Sequence, residues 1–155
     1  MRKFLLGSAS LFLILAAGCE SPNQSGIRAA QLAQRQAIMQ EPPGSYFIGR
    51  RYYNANYKFW GYVRKPGQPW RDAQLVMFNE KEKLAPDRED NHLGEDNNCQ
   101  YRLFGRFTGD TVYEPASNHV YPEFQLTGYE LIDRNPPSIF APNAELPSTT
   151  IVHPD

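Results

Sequence analysis

From residue 45 onward, apolar and polar positions alternate with the two-residue period of half-buried strands. The clearest run sets Cys99, Tyr101, Leu103 and Phe107 against Gln100, Arg102, Phe104 and Arg106. An earlier one sets Tyr57, Phe59 and Val63 against Lys58, Trp60, Tyr62 and Arg64. A strand opening at Tyr46, Phe47 and Ile48 reaches Tyr53 and is closed by Asn54-Ala55-Asn56, because asparagine tolerates left-handed backbone. Lys65 to Pro69 forms the next turn, and Ala73 to Phe78 a third strand with either Leu75 and Met77 or Val76 and Phe78 inward. Thr108-Gly109-Asp110 and Glu114 to Asn118 read as turns around a short Thr111-Val112-Tyr113 segment. In the last strand, Glu123 to Ile132, the inward parity changes from Phe124 and Leu126 to Tyr129 and Leu131, which predicts a bulge at Gly128.

Upstream the period differs. Ile27, Ala30 or Leu32, Ala37 and Ile38 fall loosely at helical spacing in a stretch without Gly or Pro, with Ser25 as cap and Pro42-Pro43-Gly44 as stop. Residues 19–26 are polar and rich in breakers, as a flexible tether is. Residues 79–98 form a hydrophilic loop longer than most connections in a compact domain. The layout is therefore a leader at 1–18, a tether at 19–26, a helix with its stop at 27–44, a β-domain at 45–133 and a Pro-rich tail at 134–155, expected to be disordered.

Two stretches repeat one pattern, Tyr, cation, apolar, aromatic, Gly, any, apolar: Tyr57 to Val63 and Tyr101 to Phe107. Mid-strand glycine marks a bend or a close backbone approach, and paired bends suit a closed barrel. The fold class expected is mainly β, a small antiparallel barrel of five to six strands with one short N-terminal helix. Its layout is similar to the oligonucleotide/oligosaccharide-binding (OB) barrel.

Composition changes this picture little. The chain has 155 residues, 13% aromatic, with a net charge of -1. It is not basic overall, so nucleic acid is an unlikely partner. The two cysteines, Cys19 and Cys99, provide no disulfide framework if the first is modified, and a lone Cys99 is then expected to be buried.

Arg2 and Lys3, the apolar run from Phe4 to Ala17, and Leu15-Ala16-Ala17-Gly18-Cys19 carry a more specific message. A charged end, a short apolar core and small residues before a cut make a secretory signal. The final segment resembles the lipobox of bacterial lipoprotein precursors, departing from it in having Ala16 where leucine is usual. The resemblance implies cleavage before Cys19, acylation of that residue and a membrane anchor. With Glu20 rather than aspartate next, it implies the periplasmic face of an outer membrane.

Candidate chemistry gathers between Ser45 and Arg71, which holds cations and no acid. Arg50, Arg51, Lys58 and Arg64, interleaved with Trp60, Tyr62 and Trp70, are expected to present a basic, aromatic strand face to an envelope protein, a glycan or lipid phosphate. The acids of loop 79–98 lack the regular spacing of a calcium loop, so no metal is expected. Asp110, Glu114, His119 and Glu123 could do acid/base work if they converged, but no nucleophile or phosphate motif accompanies them. The expectation is a non-catalytic lipoprotein without cofactor that docks a partner, the alternative being an OB-like module for glycan or another anionic polymer.

Overall fold

The computed structural model describes residues 22–51, 60–141 and 154. In chain order its elements are α1 (Pro22–Met39), β1 (Phe47–Arg50), β2 (Trp60–Arg64), a 3-10 turn (Trp70–Asp72), β3 (Gln74–Asn79), α2 (Pro86–Glu89), β4 (Gln100–Glu114) and β5 (His119–Asp133). The strands close into a barrel in the order β1-β2-β3-β5-β4, the OB-like arrangement. All seams are antiparallel except β3 with β5, where Met77 lies beside Glu123 and Asn79 beside Gln125 in parallel register. This is the small OB-like barrel expected, and its five strands make an odd ring. Directions cannot alternate all the way round, so one seam must be parallel.

Alternation along the strands separates two apolar layers. The barrel interior takes Val63, Val76, Leu103, Phe124 and Leu126, with Phe47, Phe78 and Phe107 against them. Phe124 is fully buried and meets Phe47, Phe78 and Phe107 edge-on, at centroid distances of 5.1, 6.0 and 5.3 Å. Opposite parity places Ile48, Tyr62, Leu75 and Met77 on the outside of β1, β2 and β3, where Ile38, Trp70, Ile139 and Phe140 cover them. Both inward alternatives for β3 are thus occupied, Val76 and Phe78 by the interior and Leu75 and Met77 by the outer layer.

Glycine positions follow the expected close approaches. A Cβ on Gly61 would lie 2.6 Å from the Phe78 ring, and one on Gly105 only 2.1 Å from the Gln125 carbonyl oxygen. Gly105 also has φ 152, a conformation that side chains rarely adopt. Across from it the register jumps, Phe104 pairing with Gly128 and Gly105 with Leu126, so the bulge sits where the parity of β5 changes.

Four expectations are corrected. Thr108-Gly109-Asp110 does not reverse the chain: a register shift between Phe107 and Thr111 absorbs it as an irregularity, and β4 runs on to Glu114. Helix α1 begins at Pro22, inside the expected tether, so Ser25 lies within it rather than capping it. Proline suits a first helical turn, whose N–H groups have no helical acceptor in any case. Leu32 is 58% exposed, and of the helix's apolar residues only Ile38 is buried in the core. The tail is ordered at least to residue 141, because Ile139 and Phe140 pack beneath Trp70 and Tyr62. The turn expected at Asn54 to Asn56 lies outside the described residues.

Candidate functional site

The residues expected to form an outward basic-aromatic face are instead interior. Relative exposure is 2% for Arg50, 4% for Arg51, 1% for Tyr62, 2% for Arg64 and 2% for Trp70. Lys58 lies outside the described residues, and of Trp60 only the backbone, paired with Met77, is described. The reason is covering chain that sequence periodicity does not reveal: the end of α1 at Ile38, the 3-10 turn and residues 138–140 lie over the outer sheet face, and loop 79–98 covers Arg51.

Two arginine clusters result. In the first, the guanidinium groups of Arg50 and Arg64 lie over the Trp70 ring, 4.8 and 4.5 Å from its centroid. Gln100 Oε1 accepts from Arg50 Nη2 at 2.6 Å. Both carboxylate oxygens of Glu41 accept from Arg64, each at 2.6 Å, and Glu41 also accepts from the Gly67 amide at 2.9 Å. Since Glu41 lies two residues past the end of α1 at Met39, this two-toothed pair clamps the helix end to β2. Nothing in the sequence pattern marked Glu41, because its partner is 23 positions away.

The second cluster explains the acidic loop. Arg51 donates to Asp96 from Nε at 3.1 Å and from Nη2 at 2.7 Å, and also pairs with Asp87. Asp87 and Asp96 are themselves 1% and 4% exposed. Asp87 additionally accepts from the Gly94 amide at 3.0 Å, and Glu80 pairs with Arg88. With Ala85 buried in the interior layer, the loop is a folded plug on the barrel, neutralised by arginine. Burial pushes the Asp96 carboxyl above its usual range, with Arg51 opposing the rise. Burial, with Arg51 close by, pulls the Arg88 guanidinium down to about 10.

Among the described residues no group of His, Cys, Asp or Glu is placed to hold a metal ion. Cys99 is buried and its thiol is held above its ordinary value by desolvation. No described helix is long and apolar enough to cross a membrane.

No protein-family model matches the chain, and neither the curated proteins nor the solved structures contain a significant match.

The acid/base quartet is not gathered to one point. The Glu114 carboxylate accepts from the amides of Ala116 and Ser117, at 3.0 and 2.6 Å, and so caps the β4–β5 turn. His119 Nδ1 contacts the Ser117 carbonyl, Glu123 accepts from Asn79 at 3.1 Å beside β3, and Asp110 is exposed.

What is open to solvent lies elsewhere. A groove of about 470 Å³ runs along Pro43, Gly44, Tyr46, Lys65, Pro66 and Gly105. Arg102 stacks 4.8 Å over the Tyr46 ring beside it and is held by Glu130 at 2.7 Å. Toward the far end of the β4–β5 hairpin, Tyr113 and Val120 are cross-strand partners, 57% and 59% exposed.

Proposed function

We propose that this chain is a membrane-anchored cell-envelope lipoprotein without catalytic activity. Cys19, acylated after removal of residues 1–18, holds it on the periplasmic face of an outer membrane, and the barrel serves as a docking or structural module for an envelope protein. The observation that carries this reading is the placement of α1. It leads from the segment after Cys19 to the barrel, is solvent-exposed over most of its length, and is clamped at its far end by Glu41 and Arg64. Eighteen residues make a rod of about 27 Å, enough to hold a small domain clear of lipid headgroups. Two or three acyl chains anchor firmly where one is marginal.

Docking is favoured over polymer binding by the covering of the outer face of β2 and β3, the face on which OB barrels take oligonucleotides and oligosaccharides. Among the described residues, one surface open to a partner is the hairpin with its exposed Tyr113 and Val120. One observation supports the second reading, a glycan or anionic-polymer module: the groove at Tyr46, with an aromatic ring and Lys65 beside it.

Intact mass and membrane fractionation of the expressed full-length chain, alongside Cys19→Ser, test the anchor. A wild-type mass with the leader lost and acyl chains gained, together with release of the variant from the membrane, is expected. An unlipidated soluble wild type refutes the reading. A photo-crosslinking side chain at Tyr113 then tests docking in cells, with the same side chain at Tyr46 as the polymer control. Capture of one protein from position 113 supports docking, whereas glycan capture from position 46 alone replaces it with the second reading.

A further inference from the structure

The junction between α1 and the barrel encloses a small niche that neither the anchor nor the docking surface uses. It measures about 80 Å³ and is lined by Gln34 and Arg35 of α1, Trp70 and Arg71 of the 3-10 turn, and Ile139 and Phe140 of the C-terminal segment. Two of these side chains carry buried N–H donors that meet no acceptor among the described residues: Trp70 Nε1 and Gln34 Nε2. Trp70 itself is only 2% exposed, so its indole cannot satisfy that donor by reaching bulk water. A buried donor left unpaired loses its hydration without compensation, which is why native interiors almost always supply an acceptor.

The surroundings decide which acceptor fits. Arg35 and Arg71 stand at the niche with exposed side chains, and Arg50 and Arg64 lie over the same Trp70 ring. Glu41 is engaged by Arg64, and Asp72 lies 3.9 Å from Arg71 in an exposed pair, so cations outnumber acids around the indole. Two unpaired donors on residues that line the niche, a cationic rim and an apolar floor of Ile139 and Phe140 suit a small anion with acceptor oxygens and a short apolar remainder. The geometry points to a binding site for a small carboxylate. The carboxylate is either that of a free short-chain acid or the head of an acidic group on a larger ligand. This inference rests on the helix–barrel contact and stands whether or not Cys19 carries lipid.

The test follows the Trp70 indole N–H by NMR in the full-length chain with Trp60→Phe, which leaves Trp70 as the remaining tryptophan of two. Acetate, acetamide and chloride are titrated separately, together with an acidic dipeptide that tests the larger source. Expected is a saturable downfield shift with acetate and a much weaker one with acetamide, which is neutral and keeps only one acceptor oxygen, or with chloride, which has no fork of two oxygens. A shift with the dipeptide tighter than that with acetate assigns the niche to a larger ligand. Gln34→Leu removes one donor and should weaken acetate about tenfold. Arg35→Gln with Arg71→Gln alters only exposed side chains, leaves the fold intact and should weaken it by a similar factor. An indole resonance that stays put across the acetate titration, as solvent filling the niche would give, overturns the proposal. So does a shift equal in acetamide, or one unchanged by the double arginine substitution.

Discussion

Replacing Arg51 with methionine removes the cation between two buried carboxylates and keeps most of the side-chain volume. Asp87 and Asp96 would then sit at 1% and 4% exposure with Arg88 as their nearest remaining guanidinium, itself engaged by Glu80. Breaking a buried ion pair by removing one partner costs about 3 to 5 kcal/mol, since the charge left behind stays desolvated. A domain of this size has about 5 to 15 kcal/mol in total. In urea, with a slope of about 1.5 kcal/mol per molar, the unfolding midpoint should drop by about 2 to 3 M. The pH dependence separates lost charge compensation from lost packing. Asp96 already has a folded pKa above its unfolded value, so ionising it costs stability as pH rises through that window, and Arg51 holds the cost down. Without Arg51 the cost grows. The deficit of the variant should be full above the raised pKa and shrink as pH falls through it. Arg51→Lys keeps the charge but not the two-toothed fork, and should lose about 1 to 2 kcal/mol. A midpoint within about 0.5 M of wild type at neutral pH, or a deficit independent of pH, would refute the reasoning.

Three further outcomes are expected. Gly105→Ala places a methyl against the Gln125 carbonyl oxygen at a backbone angle of φ 152 and should cost about 3 kcal/mol, seen as a fall in the thermal midpoint; an unchanged midpoint would show that the strand crossing can relax. Phe140→Ala removes a ring that meets Tyr62 edge-on at 5.8 Å and should cost about 3 kcal/mol in urea unfolding, where a merely appended tail would give no change. For Glu114, burial works to raise the carboxyl pKa, but the hydrogen bonds from Ser117 and Ala116 outweigh it and hold it below its ordinary value. Its support of the hairpin turn is therefore present above the unfolded value and lost as pH falls through the lower folded one, an order that a pH series of Ser117 amide exchange would check and that protection independent of pH would contradict.

Much of the barrel was legible because alternation is a local property. Whichever way a strand is placed, Tyr101 and Leu103 share a face opposite Arg102, and a parity change at Gly128 demands a bulge. The two mid-strand glycines were legible for the same reason, since a missing side chain within a strand implies that something else approaches closely.

What alternation leaves open is whether the second face of a strand meets water or more protein. Arg50, Tyr62, Arg64 and Trp70 read as a solvated face when only their own strands are considered. They are buried because Ile38 at the end of α1 and the Ile139-Phe140 pair, distant in sequence, pack against them, and because Glu41 and Gln100 supply the hydrogen bonds that make burial of arginine affordable. Apolar Ile139 and Phe140 among prolines were the one local hint of that layer. The acidic loop turned on the same issue. Its carboxylates read only as a long hydrophilic loop, whereas the fold brings Arg51, 36 positions before Asp87 and 45 before Asp96, between them. Local pattern determined the strands, their bends and the bulge, since each depends only on near neighbours along the chain. Burial of charge depends on pairing in space, and only the tertiary structure decided it.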